Sequence, residues 1–202
     1  MKSVLLSSLL LSASVLSAAP QAFDFQDPKG VNAARFSLDA PLEAISGSGN
    51  GISGEVRFDS AAPADFSGHL TLATASLTVP NGTMKEHLHG ANWLDVTTYP
   101  EITFVTKSVR DAVTSGTVTK ARVTGDLTIK GVTKTLTVPV TLTSLPGKLS
   151  DRTGGQMQGD LLVLRTTFSI NRSEFGIMPG QATDKVAETI ELSLALAGAA
   201  AR

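Results

Sequence analysis

Beyond its first twenty residues the chain alternates apolar and polar positions along almost its whole length. Val56 and Phe58 stand against Glu55, Arg57 and Asp59, and Ile102 and Phe104 stand against Thr103. Val123, Leu127 and Ile129 oppose Arg122, Asp126 and Thr128; Leu136, Val138, Val140 and Leu142 oppose Thr135, Thr137 and Thr141. Ile190, Leu192, Leu194 and Leu196 close the series against Glu191 and Ser193. A strand sends successive side chains to opposite faces, so each run has one face to bury and one to leave in water. About eight strands follow, near residues 33–40, 51–59, 67–77, 101–109, 118–129, 134–144, 162–171 and 186–196. With so little helical sequence, the apolar faces can meet only one another, in a sandwich or in a barrel closed around a core or cavity. A five-residue connection from Lys130 to Lys134, carrying Gly131, joins two of these strands as a hairpin. The Pro-, Gly- and Ser-rich stretch from Leu145 to Asp160 reads as one long exposed loop.

One segment, Thr83–Asp95, breaks the alternation. Thr83 and Glu86 have the spacing of a capping box, and Met84, His87, Leu88 and Ala91 mark one helical face. Gly90 weakens the run before a second turn at Trp93 and Leu94, and Tyr99-Pro100 leads the chain back into strand. Trp93, the only Trp, reads as a core aromatic.

The N-terminus sets a compartment. Lys2, an apolar run from Val4 to Leu16 and the small residues Ser17, Ala18 and Ala19 have the form of a secretory signal peptide, too short to span a bilayer. Cleavage is expected after Ala19, with Ala18 and Ala22 as the other sites, so residues 1–19 are the signal and residues 20–202 one domain. No integral membrane span remains after cleavage, and the mature protein is expected in the periplasm or secreted. Seventeen basic residues against eighteen acidic ones give a net charge of −1, which offers no electrostatic footprint for nucleic acid or an anionic bilayer. Cys is absent, which excludes disulfides, thiolate catalysis and Cys-ligated metal.

Other motifs carry little chemistry. Gly49-x-Gly51-x-x-Gly54 fits a dinucleotide fingerprint, but strand alternation follows where that motif must open a helix, so it reads as a turn and a bulge. His87 and His89 lie two apart on the helix and face different directions, so with distant His69 they form no predicted metal site. No nucleophile elbow and no placed carboxylate pair is present, so no catalytic residue is assigned. A membrane-spanning barrel needs aromatic girdles at both interfaces, which one Trp and one Tyr cannot build.

Three ordered motifs carry a family resemblance: EHLHGANWLDVTTYPEITF from Glu86 to Phe104, GDLTIKGVTKTLTVPV from Gly125 to Val140, and RSEFGI from Arg172 to Ile177. With the closing DKVAETIELSLAL, they make the chain resemble the YceI family of exported bacterial proteins with a lipocalin-like fold. The resemblance covers essentially the whole mature chain. It implies an all-β, single antiparallel eight-stranded barrel with the short helix near Thr83–Asp95 over one end, and binding of a polyisoprenoid or related long-chain lipid. It also places Glu86, His87 and Leu88 and the Trp93-Leu94-Asp95 turn over the barrel opening. The chain departs from the usual pattern in having Trp93 for Phe and Lys85-Glu86 for a basic-Asp pair, both at the mouth.

An eight-stranded barrel either packs solid or holds one ligand, and eight Phe, one Tyr and one Trp supply little bulk to fill it. Each CH₂ of a lipid withdrawn from water contributes about 0.8 kcal/mol. The predicted cavity wall is Val56, Phe58, Leu70, Leu72, Leu88, Trp93, Leu94, Ile102, Phe104, Leu127, Ile129, Phe168, Ile170 and Phe175. A polar head group must stay near the opening, where Lys85, His87 and Arg172 are the predicted head-group residues, Arg172 foremost for its fork of donors. The alternative for Arg172 is bonding to loop carbonyls or pairing with a carboxylate such as Glu174. The expected function is non-catalytic carriage of a long-chain lipid by a monomer or homodimer, with no cofactor beyond the bound lipid. The competing function is an exported barrel enzyme acting on a lipid or small apolar substrate, for which His87, Glu188 and Arg172 are the inward-leaning candidates.

Overall fold

Period-two sequence becomes strand almost everywhere it occurs. The computed structural model describes residues 20–202; the predicted signal peptide, residues 1–19, lies outside the described residues. The strands are Gln21–Asp24 (β1), Ala33–Asp39 (β2), Ala44–Gly49 (β3), Ile52–Phe58 (β4) and Ser67–Ala73 (β5). They continue as Glu101–Ser115 (β6), Val118–Ile129 (β7), Val132–Leu145 (β8), Gly159–Asn171 (β9) and Thr189–Ala201 (β10). Every pairing is antiparallel, in the order β1-β4-β5-β6-β7-β8-β9-β10, and β1 returns to β10 where Asp24 faces Ala199. That ring of eight is the predicted barrel.

The two remaining strands extend the ring without adding to it. β2 pairs with β10 beyond β1, and β3 pairs with β2 beyond β4, so β1 with β2, and β3 with β4, each serve as one strand with a break. At the first break Asp27 accepts the main-chain N–H groups of Lys29, Val31 and Asn32. The buried Asn32 amide then takes the place of ladder bonds, donating to the carbonyls of Phe25 and Ala197 and accepting from the N–H of Ala197. At the second break Asn50 and Gly51 separate β3 from β4; Gly54 takes φ 119° inside β4, but its pairing with β5 runs one to one from Ile52–Leu72 to Arg57–Ser67, so the glycine motif is a strand break and a left-handed kink without the expected bulge.

Three local expectations change. The hairpin after Ile129 is tighter than five residues: Ile129 faces Val132 across Lys130 and Gly131, both at positive φ as a two-residue turn requires. Residues 145–160 are a folded corner, in which Leu149–Thr153 forms a helical turn (α2), Leu149 is buried and β9 starts at Gly159. The helix over the opening, Gly82–His89 (α1), is capped by Asn81, whose Oδ1 accepts the Met84 N–H at 2.9 Å. Thr83 lies inside the helix and makes no cap, because Asn81 already satisfies the free donor.

Two clusters share the interior. One end is close-packed by Phe23, Phe25, Phe58, Leu142 and Leu162, with the Phe58 and Phe66 rings edge to face at 6.5 Å. The other end gathers Leu77, Leu94, Leu127, Ile129, Ile170, Phe175 and Ile177 beneath the segments that leave the barrel. Leu72, Phe104, Leu136 and Phe168 pack against both clusters and so mark the middle.

Candidate ligand cavity

The inward faces of the strands do not fill the barrel; a cavity of about 210 Å³ runs between the two clusters. Apart from Arg35, Thr71, Thr103, Thr106 and Thr166, the wall is aliphatic, aromatic or glycine. Thr166 Oγ1 donates to the Pro139 carbonyl at 2.7 Å, and Thr71 Oγ1 lies 3.1 Å from His69 Nε2, so the protein itself partners both hydroxyls. Inward glycine helps make the space: a side-chain carbon at Gly125 would collide with the Phe104 ring, which lies across that bare stretch of β7.

Of the residues named for the wall, Val56, Leu70, Leu72, Leu88, Trp93, Leu94, Ile102, Phe104, Leu127, Ile129, Phe168 and Ile170 line the cavity. Phe58 and Phe175 do not. Phe58 sits behind Phe66 in the packed end, and Phe175 is buried under the helical turn Arg172–Phe175. Phe36, Phe66, Leu77 and Ile177 join the wall without having been predicted. Leu77 and Ile177 come from connecting segments, where no periodicity marks a side chain as inward. Val123, Val138, Val140, Leu192, Leu194 and Leu196 also line it, and the alternation had already placed them on the apolar face.

Leu77, Leu88, Trp93, Leu94 and Ile177 cover the opening. His89 Nε2, 2.7 Å from the Leu77 carbonyl, ties α1 to the preceding segment, and Lys130 Nζ donates to the carbonyls of Ala91 and Asn92 from the β7–β8 turn. At positive φ, Gly131 leaves room for the Tyr99 ring, which a side chain there would strike. Lys130 and Gly131 of this hairpin thus clamp the cover onto the barrel.

None of the three predicted head-group residues lines the cavity. Lys85 and His87 point from α1 into solvent, while Leu88 is the residue the helix turns inward. Arg172 is fully buried, and its five N–H donors meet the carbonyls of Ala187, Ile177, Met178, Gln181 and Val186. No donor is left for a head group, so the role predicted for Arg172 gives way to organising the 177–187 loop. Its carboxylate partner is Glu188 at 3.7 Å, not Glu174. Hydrogen bonds from Ser173 and the Arg172 charge outweigh burial and hold Glu188 below the usual carboxylate range. The guanidinium carbon also stands 5.9 Å from the Trp93 ring centroid, joining the loop to the cover.

A capped antiparallel barrel around a single apolar lumen is the architecture of barrels that enclose one small ligand. Residues 27–197 match the YceI-like domain, and the chain belongs to that family. It is 34% identical over 154 residues to a UPF0312 protein of Pseudomonas putida strain W619, covering 76% of this chain and 73% of that one. A UPF0312 protein of Pseudomonas savastanoi is 34% identical over 146 residues, covering 72% and 68%. Burkholderia cenocepacia BcnA superposes with a TM-score of 0.68 at 27% identity, covering 82% of this chain and 95% of that one. A polyisoprenoid binding domain from Saccharophagus degradans, implicated in plant cell wall breakdown, shares the fold with a TM-score of 0.65 at 10% identity, covering 90% and 99%. Among the described residues no helix is long and apolar enough to cross a membrane.

Proposed function

We propose that this protein is an exported, non-catalytic binding protein that holds the hydrocarbon chain of one lipid, an isoprenoid foremost, inside its barrel. The observation that carries the reading is the wall: a cavity lined almost wholly by apolar side chains, with Thr71 and Thr166 among its few hydroxyls already partnered by the protein. Such a surface gains nothing from a polar solute and about 0.8 kcal/mol for each CH₂ it removes from water. The polyisoprenoid binding domain that shares this fold supports the isoprenoid choice. Against an enzyme, the three residues that sequence offered as catalytic groups, His87, Glu188 and Arg172, all lie off the wall. No cofactor enters this reading, because the lipid is itself the ligand.

Displacement of an apolar fluorophore by farnesol tests it. The wild-type protein takes up the fluorophore and farnesol displaces it. Ile129→Arg places an unpaired charge on the wall and abolishes uptake, whereas Thr128→Arg, on the outer face, leaves it unchanged. A folded Ile129→Arg protein that binds as well as wild type contradicts the assignment.

A further inference from the structure

The cavity is blind at one end, and what blocks it is specific. Its deep wall consists of Val56, Phe66, Val140, Leu164 and Leu196. Around and below them Phe23, Phe25, Phe58, Leu142 and Leu162 are buried in the same cluster and do not line the cavity. Phe66 joins the two regions: it lines the lumen, and its ring meets that of Phe58 at an interplanar angle of 69°. From this floor the wall rises past Leu72, Phe104 and Phe168 to the cover. Along β10 the lining residues run from Leu196 to Ile190, about 20 Å of strand. With a strand tilt near 40° that is about 15 Å along the barrel axis.

We infer that Phe66, backed by Phe58, is a chain-length stop: the barrel selects its ligand by how much of one hydrocarbon chain fits between this floor and the cover. The inference rests on the reading of the cavity as a lipid site and adds the feature of the ligand that is measured. A chain shorter than the lumen leaves wall unfilled, and each added methylene raises affinity about fourfold. A chain longer than the lumen must leave its remainder outside the cover, where added carbons contribute little. Little on the wall competes with this length term: its polar residues are Arg35, which is exposed, and four threonines, while Arg172, Lys85 and His87 lie elsewhere. Chain length therefore outweighs head-group chemistry in ranking ligands.

The experiment measures dissociation constants of the full mature chain for geraniol, farnesol and geranylgeraniol by fluorophore displacement, with farnesyl phosphate as the head-group comparison. Affinity should climb along the series and then level off. Phe66→Ala deepens the lumen and moves the levelling to a longer member; Val140→Phe fills the deep end and moves it to a shorter one. The two variants push in opposite directions, so a failure of Phe66→Ala to fold still leaves the test to Val140→Phe. Farnesol and its phosphate should agree within about threefold. Levelling at the same member in wild type and in the folded variants overturns the stop while leaving the lipid reading intact, and so does a tenfold preference for the phosphate. Absence of binding by every alcohol to the wild-type protein overturns both.

Discussion

Arg172 shows how one residue type can carry two opposite meanings. A guanidinium near an opening is a natural phosphate fork, yet here a fully buried Arg172 spends all five donors on loop carbonyls between Ile177 and Ala187. Removing it leaves buried acceptors without donors, each costing about 1–3 kcal/mol. Arg172→Gln should therefore lower stability by about 3 kcal/mol or more, read as a fall in melting temperature, while the ratio of affinities for farnesyl phosphate and farnesol stays at its wild-type value. A variant that melts like wild type but binds farnesyl phosphate more weakly at unchanged farnesol affinity would restore the head-group role. Asp27 and Asp160 work in the same manner at the other end. Burial opposes the charge on Asp27, but three main-chain donors and Arg152 more than offset it and hold its pKa below the ordinary value. The main-chain N–H of Gly147, with Gln21 and Arg202, does so for Asp160.

At the level of elements, the strands that were legible are those whose alternation is uninterrupted, such as β7 and β8. β3 escaped because Ala44-Ile45-Ser46-Gly47-Ser48-Gly49 has the composition of a turn, its inward glycines making way for the Phe36 ring and Leu77. β1 is only four residues long, and β10 continues to Ala201 through a run of Ala and Gly that carries no contrast between faces. In β6 the register slips between Thr106 and Ser108 and again between Arg110 and Val113, so the periodic signal fades near residue 109 although the strand reaches Ser115. The wall was readable for the same reason: inward strand residues announce themselves, while Leu77 and Ile177 depend on loop paths that only the tertiary fold decides. The helix start was misread because two capping signals overlap. Asn81→Ala should cost about 1 kcal/mol by losing the bond to Met84, and Thr83→Ala only a few tenths, measured by chemical denaturation. The reverse ranking would reinstate the capping box at Thr83.

For the whole molecule, the asymmetry of the barrel matters most. One end is packed solid with Phe23, Phe25 and Phe58, and the other is closed by a cover tied by hydrogen bonds to the β7–β8 turn and the segment before α1, and by one cation–π contact to the Arg172 turn. Entry at the covered end, by local opening of α1 and its following turn, is therefore the expected route for a ligand. Between the ends lies a lumen whose wall is apolar apart from Arg35 and four threonines. Native mass spectrometry of the purified mature chain, before and after delipidation and after reloading with a prenyl alcohol, tests this account most directly. The account predicts a mass increase equal to one lipid per chain, lost on delipidation and regained on reloading, and absent in Ile129→Arg. A delipidated protein that remains folded and takes up no prenyl alcohol would contradict it.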